Sequence, residues 1–215
     1  MELASFCTLR EVRQVTARLS DVDGYVRLQA GKALRQIASK GDTEVVAALL
    51  EAAHDDDEEV RVEAIRTLGY VANAGDAEAV RGAIAACSDA SCIVRWAASH
   101  SLTKLAAGGQ GGLVATEAIC CSMQEPIASR QLRIVDVLPD IVGEDVAACA
   151  FAARALQKLL LDPNVGPSEK VLAAGLESLA EIAMQGGDDC RRCAKLTVEA
   201  FIQDENWIIR EAAEN

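Results

Sequence analysis

The chain has 215 residues, with 33 acidic against 21 basic side chains and a formal net charge of −12. Apolar residues make up 51% but aromatic ones only 3%, so a core is available and disorder is excluded, with core area drawn from Ala, Val, Leu and Ile in close-packed helices. The acidic balance opposes non-specific binding to nucleic acid and adsorption on anionic membranes, and no run of 18 or more apolar residues offers a membrane span.

In chain order, Leu3, Phe6, Leu9, Val12, Val15 and Leu19 recur at near-helical spacing and predict a first helix that caps the fold. No basic segment followed by a long apolar stretch opens the chain, so no signal peptide is expected. Eight dispersed Cys without framework spacing point to a soluble, intracellular, reduced protein.

A repeat then begins. Val26, Val60 and Val94 stand 34 residues apart, and so do Arg27, Arg61 and Arg95, Ala30, Ala64 and Ala98, and Leu34, Leu68 and Leu102. Asp21, Asp55 and Asp89 each precede the Val by five residues, and Gly41-Asp42 returns as Gly75-Asp76. Within a unit the apolar or small residues fall at 0, +4, +7, +8 and +11, which is one face of a helix. A second amphipathic stretch, such as Glu44 to Ala53, precedes it. Each unit therefore reads as helix A, an acidic turn and helix B, with Gly stopping one unit and Asp capping the next. Neither helix buries its face alone, so the units must stack.

Further along, Gly108 to Gly112 reads as a glycine-rich loop between regular repeats over 1–107 and degenerate repeats over 113–215 of a single array, 1–215. Repeat four spans Arg130 to Ile141 and carries Pro139, which is expected to kink or end its helix B. Asp162 to Pro167 makes a second long connection, with Ser168 as N-cap. Repeat five spans Val171 to Ile182. Repeat six keeps Asp204, Ile209, Arg210 and Ala213, then the sequence stops about five residues into helix B, which suggests an excised fragment, with further repeats or another chain covering that end.

The pattern Asp-x4-Val-Arg-x2-Ala-x3-Leu resembles HEAT repeats, in particular the short repeats of bilin-lyase-like proteins. The resemblance implies an all-α, right-handed α-solenoid of about six helix-pair repeats, the last incomplete. It also implies that Asp21, Asp55 and Asp89 form a structural ladder with Arg27, Arg61 and Arg95 between neighbouring repeats, and that the B helices line a concave face. On that face the columns Lys32/Arg66/His100, Gln36/Tyr70/Lys104 and Gln29/Glu63/Ala97 are candidate partner contacts, joined by Trp207 near the end of the chain. With Arg35 this face is mildly basic. Trp96, in the column of Leu28 and Val62, reads as packing between repeats.

Charge is uneven along the chain: +3 over residues 1–40, −8 over 41–60, +1 over 61–105 and −8 over 106–215. Catalytic and metal motifs are missing. The two His, His54 and His100, are each followed by Asp or Ser rather than Glu, against the His-Glu pairs of the HEAT-like iron hydroxylases. Cys190 and Cys193, at a helix start beside two Arg, form the sharpest chemical feature, a possible redox pair whose thiol pKa the dipole and the Arg would lower. One such pair supplies only two of the four ligands of structural zinc, and no cofactor is expected. The reading is a non-enzymatic scaffold or adaptor for protein partners, without nucleic acid or membrane insertion. A bilin-lyase or chaperone-like role and a redox-responsive adaptor are the alternatives.

Overall fold

The structure, a computed structural model, describes residues 8–106, 109–123, 127–162, 167–202 and 204–214. The described residues hold twelve α-helices and one 3-10 segment, joined by turns, and no strand. By contact the chain divides into two compact units, Met1–Leu105 and Ala106–Asn215. Each is a run of three helix pairs, and the fold class is an all-α solenoid.

In the first unit, helix A of repeat one is α1 (Leu9–Thr16) continued by a 3-10 segment, Ala17–Ser20, and helix B is α2 (Gly24–Ile37). α3 (Thr43–Ala52) and α4 (Glu58–Val71) form repeat two, and α5 (Ala77–Ala86) and α6 (Cys92–Ala106) form repeat three. The predicted first helix is shorter than its apolar spacing suggests. Thr8 is extended and closes a capping box with Glu11, which starts α1 at Leu9. Leu3 and Phe6 lie outside the described residues.

Local chemistry explains each boundary. Asp42 Oδ1 accepts from the N–H groups of Glu44 and Val45 at 3.1 and 3.2 Å, and Asp76 Oδ1 does the same for Glu78 and Ala79 at 3.0 and 3.1 Å. The glycine before each Asp adopts positive φ, 80° at Gly41 and 75° at Gly75. From that geometry their N–H groups donate to the last turn of the following helix B, at Val71 O (2.6 Å) and Leu105 O (2.8 Å). The B helices are capped by Asp23, Asp57 and Ser91. The repeated apolar columns are buried: Val60, Ala64 and Leu68 in α4, and Val94, Ala98 and Leu102 in α6.

A second register of ties runs between B helices. Thr67 Oγ1 donates to Gly31 O at 3.2 Å, and Ser101 Oγ donates to Ile65 O at 2.8 Å. Both donors occupy the +7 column, and both acceptors lie at +5 of the preceding repeat.

The second unit comprises α7 (Gly109–Met123), α8 (Ala128–Val142), α9 (Val146–Leu161), α10 (Glu169–Gln185), α11 (Asp188–Phe201) and α12 (Trp207–Glu214). Two sequence expectations are corrected here. The glycine-rich stretch is not a loop from Gly109 onward; it forms the first turn of α7. Glycine disfavours a helix by about 1 kcal/mol per residue, but burial of Ala115, Ile119, Cys120 and Met123 on the same helix outweighs that. Nor does Pro139 end α8, which continues to Val142 and stops at Gly143. Proline removes the N–H that would have bonded Val135 O. Ser178 Oγ, in the +7 column of repeat five, donates to that carbonyl at 2.8 Å instead. The hydroxyl tie of the first unit thus recurs in the second and supplies the donor that the proline lacks.

At the second long connection, Asp162 is the C-cap of α9. Ser168 is extended at the N-cap position of α10 without a side-chain cap bond. The intervening 163–166 lie outside the described residues. The acidic turn returns in repeat six, where Asn206 N donates to Asp204 Oδ1 at 2.8 Å and Asn206 Oδ1 accepts from Ile208 N at 3.0 Å.

Candidate protein-binding face of the first unit

The turn Asp and helix-B Arg meet across neighbouring repeats. Arg27 Nε and Nη2 donate to the two oxygens of Asp55 at 2.6 and 2.8 Å, and Arg61 repeats the fork on Asp89 at 2.9 and 3.1 Å. Each Arg also holds its own turn: Arg27 Nη1 donates to Asp21 O, Arg61 Nη1 to Asp55 O and Arg95 Nη1 to Asp89 O, at 2.8 to 2.9 Å. Asp21 accepts from Arg18 and from the N–H of Asp23, each at 3.1 Å. Burial pushes the Asp55 carboxyl up, but the Arg27 fork, the Asp57 N–H and the nearby Arg61 outweigh it and hold the group below the usual carboxylate range. Asp89 behaves alike, with burial opposed by the Arg61 fork, the Ser91 N–H and Arg95. In repeat six Arg210 reaches only its own turn carbonyls, Asp204 O and Glu205 O, among the described residues. Arg27 with Asp55 and Arg61 with Asp89 are thus committed to each other, whereas the Asp21 carboxylate pairs with Arg18 and Arg95 holds only its own turn carbonyls among the described residues.

The exposed side of α2, α4 and α6 is different. Trp96 is 52% exposed, which corrects the expectation that it packs between repeats. Its ring stacks on His100 with centroids 5.9 Å apart and 7° between planes, and the Arg66 guanidinium lies 5.6 Å from its centroid. One helical turn makes the His contact, since the two residues are four apart on α6. A second cluster surrounds Tyr70, 49% exposed, with Lys104 Nζ 3.3 Å and Arg35 5.8 Å from the ring centroid. Hydrogen bonding from Lys104 and then its charge draw the Tyr70 phenol below its usual range. Lys40 Nζ donates to Tyr70 O at 3.0 Å, and its own pKa is lowered by burial and then by Lys104.

Other predicted contacts separate. Gln29 and Gln36 are exposed and Lys32 is half-buried. Glu63 is only 4% exposed, so it is no contact residue. Gly31 has no side chain where a Cβ would meet Glu63 Cγ at 3.1 Å, so Glu63 folds down over α2. There Arg35 Nε lies 3.3 Å from Glu63 Oε1. The side chain of Trp207 lies outside the described residues.

The Cys190/Cys193 pair does not have the reactive surroundings expected of it. Both thiols are buried, and Cys193 Sγ donates to Ala153 O at 3.3 Å. Burial, then the neighbouring Cys190, push the Cys193 thiol up rather than down. Arg191 and Arg192 face solvent and pair with Asp188 and Asp189 of the same turn. No group of three or more His, Cys, Asp or Glu among the described residues is arranged to hold a metal ion.

No curated protein sequence matches the chain. Among solved structures it is similar to an engineered protein at 19% identity and a TM-score of 0.53, covering 95% of this chain and 96% of that one. It is likewise similar to a designed armadillo repeat protein at 21% identity and a TM-score of 0.53, with coverage of 95% and 97%. A further designed armadillo repeat protein, in complex with the peptide (KR)4, is 21% identical with a TM-score of 0.52 and the same coverage. These likenesses concern the fold. A family model of HEAT repeats matches residues 12–103. The chain is thus a repeat solenoid that carries HEAT repeats over that span.

Proposed function

We propose that the chain is a non-enzymatic interaction module whose first unit grips an extended protein segment bearing carboxylates and hydrogen-bonding groups. The observation that supports this reading most is the pair of aromatic–cation clusters on the B helices. Arg66 with Trp96 and His100, and Lys104 with Tyr70, present rings and positive charge together on repeats two and three, while Arg35 of repeat one lies over Tyr70 with its charge paired to Glu63. Aromatic and Arg side chains in this combination are the residue types enriched at binding hot spots. The charge is local, since the protein as a whole is strongly acidic. The designed protein of similar fold that holds a Lys-Arg peptide is a precedent for peptide binding on such a scaffold, and the cationic surface here favours the opposite sign of partner.

The test is a titration of the full chain with fluorescein-labelled peptides, (Glu-Ala)6 against (Lys-Arg)4, at low and high salt. The acidic peptide is expected to bind, more weakly at high salt, and the double variant Arg66→Glu/Lys104→Glu is expected to lose it. Equal binding by that variant, with helicity and melting unchanged, would remove the proposal.

A further inference from the structure

A cleft of about 270 Å³ opens between α7 and α9, the A helices of repeats four and five, well away in sequence from the Trp96 and Tyr70 clusters. Its lining is Cys120 and Cys121 from α7 and Phe151, Arg154, Ala155 and Lys158 from α9. The α9 residues fall at i, i+3, i+4 and i+7, one face of that helix. Ala155 leaves room between the larger Phe151 and Lys158. The volume lies just below the range of drug-sized ligand sites, about 300 to 1,000 Å³, and so suits a smaller molecule.

The wall and the rim differ in character. Phe151 is half-buried and Cys120 is buried. Burial, then Cys121 and Glu117, push the Cys120 thiol up to about 12, so it stays neutral and serves as apolar wall. Arg154 and Lys158 are exposed, one turn apart, and neither makes an ion pair with an acidic side chain among the described residues. Like charges at this spacing repel along a helix. They do so in a half of the chain whose net charge is −8, where acidic neighbours are plentiful. Glu117 stands one turn before Cys121 on α7 and does not line the cleft. An apolar floor with two adjacent cations at its mouth is complementary to an amphipathic anion.

We propose that this cleft binds a small organic anion, its acid group held by Arg154 and Lys158 and its apolar body laid on Phe151 and Ala155. The recognised chemistry is a singly or doubly charged head on a short hydrocarbon or aryl body, as in a medium-chain carboxylate or an alkyl phosphate.

The test uses the full chain and three probes below their micellar concentrations: octanoate, octyl phosphate and the neutral octanol. Binding is read by calorimetry and by the rate at which Cys121, exposed at the rim, is alkylated, with the labelled site located by mass spectrometry. Either anion is expected to bind and to slow Cys121 alkylation at least fivefold, and the tighter of the two identifies the head group. Octanol is expected to do neither. Arg154→Gln/Lys158→Gln is expected to weaken anion binding at least tenfold. Ala155→Leu, which fills the cleft and keeps both charges, is expected to abolish it, with circular dichroism confirming the fold of each variant. Equal protection by octanol, unchanged affinity in the charge variant or in Ala155→Leu, or no binding of either anion at millimolar concentration would each overturn the proposal.

Discussion

The Asp55 and Asp89 carboxylates each accept three hydrogen bonds, two from an Arg of the preceding repeat and one from their own turn. Their carboxyls titrate below the ordinary value, about 3.9 in an unfolded chain. A lowered folded value means that the stabilisation is complete above the unfolded value and is lost as pH falls through the folded one. The urea midpoint is therefore expected to fall between pH 5 and pH 3, and the fall should be shallower in Asp55→Asn/Asp89→Asn. At neutral pH, Asp89→Asn keeps a turn acceptor but weakens the fork. A loss of about 1–2 kcal/mol is expected by urea denaturation, allowing for the partial solvent exposure of both partners. Trp96 predicts the reverse profile. Its truncation to Ala should leave stability within about 0.5 kcal/mol, as for exposed positions, while costing about 2 kcal/mol or more in peptide affinity as a hot-spot ring. Melting curves and the peptide titration separate the two effects.

Hydroxyl ties distinguish the elements. Ser101 Oγ bonds a carbonyl, Ile65 O, that lies inside an uninterrupted helix, whereas Ser178 Oγ bonds the one that Pro139 leaves without its helical donor. Ser178→Ala is expected to cost about 1–3 kcal/mol, because a buried acceptor loses its partner, and Ser101→Ala only about 0.5–1.5 kcal/mol. Comparable losses in thermal unfolding would mean that water replaces Ser178. The helix-pair repeat was legible in sequence because its columns recur at a fixed interval, and so were the A-helix caps; the Asp–Arg ladder followed only from the resemblance, which did not say which Arg meets which Asp. What escaped was decided by a neighbour's size or missing group. Glu63 shares a column with exposed Gln29, but Gly31 beneath it makes burial available. Trp96 shares a column with Leu28 and Val62, yet that column lies at the border of the buried face, and a large ring there turns outward onto Arg66. The +7 column reads as small residues, and nothing local reveals that its hydroxyls reach across to the previous repeat. Cys190 and Cys193 sit at a helix start as expected, but burial, which a single helix cannot report, sets their chemistry.

Across the whole molecule, ties link each repeat to its neighbours in the first unit, and the Ser178 bond does the same in the second. Such a chain behaves as a sum of local terms and nearest-neighbour terms. Asp89→Asn in the first unit and Ser178→Ala in the second share no partner, so their effects on the unfolding free energy are expected to add within about 0.5 kcal/mol. A larger deviation in a double-variant cycle would show coupling between the units.

Gly41 gives its N–H to Val71, so the loop that opens repeat two is closed by the end of that same repeat, and Arg27 of repeat one reaches Asp55 in the next acidic turn. Seen from the ribosome, every such bond waits for chain that emerges about one repeat later. At synthesis rates of about 5–20 residues per second, the wait is roughly 2–7 s per repeat. The protein is therefore suited to grow from its first helix onward, each new turn closing the one before it, with little unpaired surface outstanding at any moment.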